Sequence, residues 1–194
     1  MRIVLASQSP RRRELLERMG ITKFDVIPAR GEEIVNPDLT PQALVEELSR
    51  QKAAEVAALE PDALVIAADT VVAIDGKVLG KPTSPQHAIE MLTGLSGREH
   101  HVYTGFTVRL GQQIITAHED TVVNFRQLTA QEIAAYVATG EPMDKAGSYG
   151  IQGFGCVLVS GIQGDYYNVV GLPVCRLAQA LAQFGINGLT GEGM

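Results

Sequence analysis

Short apolar runs alternate along this chain with segments in which apolar residues recur every three or four positions. The runs predict buried strands, and the spaced pattern predicts amphipathic helices. The predicted strands cover residues 3–6, 24–28, 63–74, 101–110 and 113–125. Helices interleaved with strands predict an α/β fold with a mixed sheet and flanking helices. The sheet is mixed because the last two strands form a hairpin around Gly111 and pair antiparallel.

Cap signals define where the predicted helices begin and end. Ser or Thr followed by Pro opens three helices, and Thr129 with Glu132 forms a capping box that opens a fourth. Glycine ends the first helix and the last. The Ser/Thr–Pro pairs stand at residues 9–10, 40–41 and 84–85, and the terminal glycines are Gly20 and Gly185. The third helix is expected to end near Leu92, and the last to run from about Pro173 to Phe184.

Length and composition favour one globular domain over residues 1–194. The chain is 45% hydrophobic and 20% charged, which argues against wholesale disorder. No apolar run reaches the roughly 18 residues that span a bilayer, so we expect no membrane partner. Residues 188–194 are expected to form a mobile tail.

The net charge of −6 disfavours a broad nucleic-acid surface, although a small anion in a local basic pocket is compatible with it. Cys156 and Cys175 are the only cysteines. Because disulfides are rare in a reducing compartment, we expect a cytoplasmic protein with both cysteines as small core residues.

The segment SQSPRRR, residues 7–13, has the features of a phosphate site. A helix that begins after Ser9 directs free N–H groups toward an anion, and Ser7, Arg11 and Arg12 can add contacts to phosphate. Arginines in a first helical turn are unfavourable unless an anion is bound there. The alternative is a capped surface helix with solvated arginines.

Asp69 interrupts the most apolar stretch of the chain, residues 63–74. A carboxylate in a buried strand costs several kcal/mol unless it is paired, protonated or metal-bound. We therefore expect Asp69 to belong to a functional site. The alternative is a structural Asp that accepts hydrogen bonds from backbone N–H groups.

Basic and acidic side chains elsewhere could complete such a site. Lys52, Lys81 and Lys145 are each most simply solvated, but together with the arginines they would suit a polyphosphate. Glu32 and Glu33 are either solvated loop acids or, with Asp69, ligands of a hard divalent cation. The sequence leaves both interpretations of the two glutamates open.

The glycine-rich segment AGSYGIQG, residues 146–153, could bring backbone close to a ligand. Gln152 within it offers both a donor and an acceptor, which is what recognition of a base edge requires. An ordinary loop is the alternative, because two glycines three residues apart are weak evidence. The segment is neither a Walker A loop nor a dinucleotide fingerprint.

Taken together, these segments resemble the Maf family of nucleoside triphosphate pyrophosphatases. The resemblance implies a cytoplasmic, metal-dependent hydrolase that uses Mg²⁺ or Mn²⁺. It also implies a homodimer and two lobes around a cleft, as in the inosine triphosphate pyrophosphatases. The matching segments are residues 7–12, Glu33, 49–53, 67–70, 80–82, 103–105, 144–153 and 164–173.

One branch of the family resembles this chain in having Arg12, Thr70 and Gln152 as specificity residues. That branch implies dTTP, UTP and modified pyrimidine triphosphates as substrates. The branch that favours 7-methyl-GTP typically has an aromatic residue in place of Arg11 or its neighbour. A 7-methyl-GTP-type enzyme and a non-hydrolytic, nucleotide-sensing regulator of septum formation remain the alternatives.

The chemistry implied by the resemblance is attack of water on the α-phosphorus, which releases pyrophosphate. Asp69 is then the base, and Glu33 with Asp69 holds the metal. Thr70 and Gln152 read the base. The groups expected to hold the triphosphate are Ser7, Ser9, Arg11, Arg12, Lys52 and Lys81.

Overall fold

A computed structural model describes residues 1–193 and confirms a mixed α/β architecture. Over these residues seven strands form one sheet in the order β2-β1-β3-β5-β6-β7, and β4 pairs with β3. The strands are β1 (Ile3–Leu5), β2 (Asp25–Val26), β3 (Leu64–Ile74), β4 (Lys77–Leu79), β5 (Glu99–Leu110), β6 (Gln113–Phe125) and β7 (Val159–Gln163).

Both kinds of strand pairing are present, as predicted. β1 lies parallel to β2 and to β3, with Val4 opposite Val65 in the β1–β3 pair. β4 pairs antiparallel with β3, and β7 pairs antiparallel with β6. Asp75 and Gly76 turn the chain between β3 and β4 with φ angles of 52° and 73°. Two positive φ angles are typical of the type I′ turn that this dipeptide favours.

The helices begin at the predicted caps. Ser9, Thr40 and Ser84 each accept a hydrogen bond from a backbone N–H of the first turn, and Thr129 with Glu132 forms the reciprocal capping box. The third helix extends beyond Leu92. The α-helices are α1 (Pro10–Arg18), α2 (Pro41–Leu59), α3 (Pro85–Leu95), α4 (Ala130–Ala138), α5 (Tyr166–Val170) and α6 (Val174–Ala182).

Residues 141–170 contain elements for which the hydrophobic pattern gave no signal. These are β7, α5 and three short 3-10 turns. The 3-10 turns cover Glu141–Asp144, Ala146–Ser148 and Gly153–Val157. Each element has too few residues to show a hydrophobic period.

The chain divides into two compact units, each made of separate segments. The first unit comprises Met1–Asp69, Thr104–Glu119 and Gly171–Met194, of which Met194 lies outside the described residues. The second unit comprises Thr70–Tyr103 and Asp120–Val170. The predicted single domain and the predicted cleft stay predictions.

In the first unit, small residues let α2 pack closely on the sheet. Ala53 and Val56 of α2 belong to a buried cluster with residues of β1 and β3. A Cβ on Gly105 would lie 2.4 Å from the carbonyl carbon of Val45 in α2, far inside van der Waals contact. Only glycine permits this approach, which fixes the position of α2 and of the charged side chains that it carries.

Both cysteines are exposed and free, so the expectation of core cysteines is wrong. Cys175 lies on α6, which buries Leu177, Ala180 and Leu181. A residue two positions before Leu177 points away from that face, since successive helical residues are about 100° apart. Cys156 lies in a 3-10 turn whose neighbouring residue Val157 is also exposed.

The predicted mobile tail forms turns up to residue 193. The backbone N–H of Asn187 donates to the carbonyl of Glu192, and the N–H of Gly191 donates to the carbonyl of Asn187. Met194 lies outside the described residues. Mobility of the tail stays a prediction. Among the described residues, no helix has the length and apolar character needed to cross a bilayer.

The second unit buries a histidine in an aromatic cluster. His100 is 1% exposed, its Nε2 lies 2.7 Å from the hydroxyl of Tyr149, and its ring meets Phe125 edge-on at 4.9 Å. Nδ1 has no hydrogen-bond partner among residues 1–193. Burial, with a smaller contribution from His101, lowers the pKa of His100 to about 4. The ring is therefore neutral in the folded protein at neutral pH.

We predict that His100 makes the protein less stable as the pH falls from about 6.5 to 4. The unfolded chain binds a proton at His100 in this window, whereas the folded chain does not, so stability falls by roughly 3 kcal/mol in total. Urea unfolding at several pH values should show a shallower dependence in His100→Gln than in wild type. The carboxylates titrate in both proteins, so their contribution cancels in the difference between wild type and His100→Gln. Parallel curves of unfolding free energy against pH would therefore contradict the prediction.

Candidate active site

The first unit gathers charged residues where β1 and β3 lead toward α1. Because β1 and β3 are parallel, Ser7 follows β1 on the side toward which β3 continues to Asp69. The backbone N–H of Ala6 still donates to the carbonyl of Ile66 over 2.8 Å, which holds the two strands together at this point. The chain then enters α1 through Ser9. This arrangement matches the predicted strand–turn–helix.

Two serines order the start of α1. The hydroxyl of Ser9 accepts from the backbone N–H of Arg12, and the hydroxyl of Ser7 accepts from the backbone N–H of Ser9. Arg11 lies in the first turn, with no hydrogen bond or ion pair to other described residues. This helix N-terminus therefore combines its dipole with a half-buried cation.

Arg12 holds three separate parts of the first unit together. Its Nε donates to the carbonyl of Gly171 over 2.8 Å, and one terminal nitrogen donates to the carbonyl of Ala68 and the hydroxyl of Ser7. Burial and the neighbouring Arg11 lower the pKa of Arg12, and two nearby carboxylates oppose that effect. Sequence reasoning predicted a phosphate contact for Arg12 and missed these backbone contacts.

Lys52 connects the two acidic candidates. Its ammonium contacts a carboxylate oxygen of Asp69. The same ammonium lies 2.9 Å from a carboxylate oxygen of Glu33. Asp69 and Lys52 are largely buried, with side chains 14% and 18% exposed, whereas Glu33 is 48% exposed. Asp69 thus does not occupy its strand as an unpaired charge. Its counter-ion is the lysine that the sequence assigned to phosphate binding.

The loop that carries Glu33 is fixed to α2 by two side chains that sequence reasoning missed. Glu55 accepts hydrogen bonds from the backbone N–H groups of Arg30 and Gly31. Gln51 donates to the carbonyl of Ile34 and accepts from its N–H, both over 3.1 Å. Their spacing of four residues puts Gln51 and Glu55 on one helix face, which is the signal that could have identified them.

The remaining candidates belong to the second unit. Thr70 follows Asp69 within β3. Lys81 is exposed after β4, and the carbonyl of its neighbour Gly80 accepts from the N–H of Gly147 over 3.1 Å. The turn with Lys81 is thereby joined to the glycine-rich segment. Lys145 donates to the carbonyl of Glu141 and to Asp144, so it is engaged locally.

Two of the candidate residues have the oxygen ligands that a hard divalent cation prefers. Glu33 and Asp69 are oxygen donors that converge on the same ammonium, so their carboxylates lie close together. Among residues 1–193, no group of three His, Cys, Asp or Glu side chains could hold a metal. Two carboxylates suit an ion such as Mg²⁺, which takes many of its ligands from water and phosphate. Glu32 is the less suitable of the two neighbouring acids, because Glu33 and not Glu32 contacts the Lys52 ammonium beside Asp69.

Comparisons with known proteins agree with the α/β fold. The dTTP/UTP pyrophosphatase of Moorella thermoacetica is 55% identical over 189 residues, 96% of each chain. The protein of that name from Symbiobacterium thermophilum is 50% identical, over 97% of each chain. A HAM1 protein from Coxiella burnetii shares the fold, with TM-score 0.58 at 16% identity over 94% of this chain and 99% of that one. Since the model of the Maf-like protein family matches residues 2–184, the chain belongs to that family.

Proposed function

We propose that this protein hydrolyses dTTP, UTP and modified pyrimidine triphosphates to the nucleoside monophosphate and pyrophosphate. The observation that carries the proposal is the pairing of Asp69 with Lys52 beside Arg12. Relatives at 55% and 50% identity bear the name dTTP/UTP pyrophosphatase. In this arrangement Asp69 can accept a proton, and Lys52 and Arg12 can neutralise the charge of a phosphate.

Asp69 is the proposed general base. A base for attack on phosphorus must be held in one orientation, and the contact with Lys52 holds the Asp69 carboxylate. The side chain is largely buried, so few waters compete for its oxygens. Asp69 would take the proton from the water that attacks the α-phosphorus.

Glu33 and Asp69 are the proposed ligands of a divalent cation, Mg²⁺ or Mn²⁺. When bound, such an ion supplies neutralisation of phosphate charge. The loop that carries Glu33 is fastened to α2 by Gln51 and Glu55, which keeps the Glu33 carboxylate near Lys52. These contacts leave Glu33 half exposed and accessible to an ion.

The proposed phosphate ligands follow from charge and from free N–H groups. In the group around Arg12 and Lys52, three cations including Arg11 oppose the carboxylates of Glu33 and Asp69, a local excess of positive charge in a chain whose net charge is −6. The N-terminus of α1 adds its dipole and its N–H groups. The complete proposed set is Ser7, Ser9, Arg11, Arg12, Lys52 and Lys81.

Thr70, Gln152 and Arg12 are the proposed specificity residues. The amide of Gln152 forms no hydrogen bond with other described residues, so its donor and acceptor can pair with N3–H and O4 of a pyrimidine. Thr70 lies next to the proposed base in β3. The role of Arg12 would include holding Gly171 and Ala68 in place.

The proposed setting is the cytoplasm. The acidic net charge and free, exposed cysteines suit a cytoplasmic protein without nucleic-acid or membrane partners. A homodimer follows only from the family resemblance. The alternatives, a 7-methyl-GTP-type enzyme and a non-hydrolytic regulator of septum formation, are separated by turnover on dTTP, UTP and 7-methyl-GTP.

We predict that Asp69→Asn lowers kcat by about 10²- to 10⁴-fold, the loss expected for a positioned acid–base group. Asn keeps the volume of Asp but cannot accept the proton. Pyrophosphate release from dTTP measures the loss, and circular dichroism checks the fold. Asp62→Asn is the matched control, because Asp62 is exposed before the same strand. Near-wild-type turnover in a folded Asp69→Asn protein would contradict the assignment.

We predict that hydrolysis requires a divalent cation and yields pyrophosphate. EDTA-treated protein should be inactive, and Mg²⁺ or Mn²⁺ should restore activity, because Glu33 and Asp69 are the only convergent carboxylates among the proposed residues. Glu33→Gln should raise the metal concentration needed for half-maximal rate, whereas Glu32→Gln serves as the neighbouring control. Full activity after chelation, or release of orthophosphate alone, is the opposite result.

We predict that Gln152→Ala lowers kcat/KM for dTTP and UTP by ~1–3 kcal/mol, the scale of an unpaired buried hydrogen-bonding group. Discrimination against purine triphosphates should narrow, while Asp69→Asn should affect all substrates equally. Arg12→Ala is a less clean test, because it also removes three hydrogen bonds that hold the first unit together. An unchanged selectivity ratio in Gln152→Ala, with the exposed Gln131→Ala as control, would refute this view of the base pocket.

A further inference from the structure

Glu141 has no place in the proposed chemistry, yet its carboxylate accepts three hydrogen bonds. One oxygen accepts from the backbone N–H of Phe154 over 2.9 Å. The other accepts from the N–H of Gly155 over 3.0 Å and from the hydroxyl of Tyr136 over 2.8 Å. The two N–H groups belong to the 3-10 turn that begins directly after Gln152.

Tyr136 extends this contact to the other side of Gln152. The hydroxyl of Tyr136 accepts from the N–H of Gly150 over 3.2 Å while it donates to Glu141. Tyr136 is 5% exposed, so its ring is anchored in the core of the second unit. Backbone on both sides of Gln152 is therefore hydrogen-bonded to one pair of side chains, the buried Tyr136 and the partly buried Glu141, which we name the Tyr136–Glu141 clamp.

Gly153 and Gly155 lie so close to their neighbours that a side chain at either position would clash. A Cβ on Gly155 would lie 2.1 Å from the carbonyl oxygen of Gly150 and 2.8 Å from the Tyr136 hydroxyl. A Cβ on Gly153 would lie 2.5 Å from a carboxylate oxygen of Glu141, and Gly153 has a φ of 65°. Glycine is therefore favoured at Gly155 by the approach of the Gly150 carbonyl and the Tyr136 hydroxyl, and at Gly153 by the positive φ and the nearby Glu141 carboxylate.

The hydrogen bonds of the clamp also favour the ionised form of Glu141. Burial alone would raise the pKa of Glu141, but hydrogen bonds from the Phe154 N–H, the Tyr136 hydroxyl and the Gly155 N–H hold that pKa below its usual value. The ionised carboxylate thus faces three donors at neutral pH. Lys145, close in sequence, donates to the backbone carbonyl of Glu141 and fixes the main chain at this residue.

From this geometry we infer that Glu141 and Tyr136 are positioning residues that set base selectivity by fixing the backbone on both sides of Gln152. The inference rests on the proposed function, in which Gln152 reads the base. The clamp bonds backbone N–H groups, whereas the amide of Gln152 bonds no other described residue. Fixed backbone with a free side-chain amide is what selective recognition of one base edge requires.

The experiment compares wild type, Glu141→Gln, Tyr136→Phe, Gln152→Ala and the double variant Glu141→Gln/Gln152→Ala. The preferences for dTTP and UTP over a purine triphosphate are measured as ratios of kcat/KM. Glu141→Gln replaces one acceptor oxygen by an NH₂ group, and Tyr136→Phe removes the hydroxyl that bridges Gly150 and Glu141. Glu90→Gln, an exposed acid on α3, is the matched control.

Each clamp variant should raise KM for dTTP and UTP about tenfold and narrow the preference for pyrimidines, as expected for lost positioning of one hydrogen-bonding group. Inhibition by inorganic tripolyphosphate, which lacks a base, should be unchanged. In the double variant, Glu141→Gln should have little further effect on selectivity, because it acts through Gln152.

Three results would overturn the inference: unchanged selectivity in both clamp variants, parallel weakening of tripolyphosphate inhibition, or additive effects in the double variant. If wild type itself fails to hydrolyse dTTP and UTP, the proposed function fails, which is a separate outcome. Should one clamp variant not fold, judged by circular dichroism, the other decides the question.

Discussion

The ion pair between Lys52 and Asp69 is the constraint on which the first unit depends. Both side chains are largely buried, and removing charge from water costs several kcal/mol unless the partner is accurately placed. The partner is placed by α2, whose close packing on the sheet requires glycine at position 105. The same ammonium meets Glu33, so the position of the loop after β2 is tied to this contact as well. A backbone approach of α2 thus determines where three charges meet.

Arg12 shows how one cation can serve both structure and charge balance. Its guanidinium donates to the carbonyls of Ala68 and Gly171, so it joins the strand of Asp69 to a segment far along the chain. These two carbonyls are neutral, so the contacts leave the charge of Arg12 in place, and Asp69 and Glu33 favour that charge electrostatically. Arg12 therefore still contributes positive potential next to α1, although the pKa of its guanidinium is lowered by burial.

Features set by neighbouring residues could be predicted from the sequence, and features set by distant contacts could not. The caps at Ser9 and Thr129 depend on three or four residues, and the apolar run around Asp69 marked both a strand and a charge that needed a partner. The contact of Arg12 with Gly171 spans 159 positions and leaves no local pattern. Elements β7 and α5 were missed because each has only five residues, too few to show a hydrophobic period. The cysteines were misplaced because compartment arguments say nothing about which face of a helix a residue occupies.

The Tyr136–Glu141 clamp fixes a loop by hydrogen bonds to backbone N–H groups and not by an ion pair. In the first unit, cations and carboxylates meet from distant segments, and each pair must offset desolvation. In the second unit, the Glu141 carboxylate is stabilised mainly by the backbone N–H groups of Phe154 and Gly155. These partners are only 13 and 14 residues away in sequence, so the entropy cost of closing the loop is small. Among residues 1–193, no cation forms an ion pair with this carboxylate; Lys145 donates to the backbone carbonyl of Glu141 and acts on the carboxylate only electrostatically. A loop that reads a neutral base edge is better fixed by backbone N–H groups than by a salt bridge, because the charge of the phosphates then competes less for its hydrogen bonds.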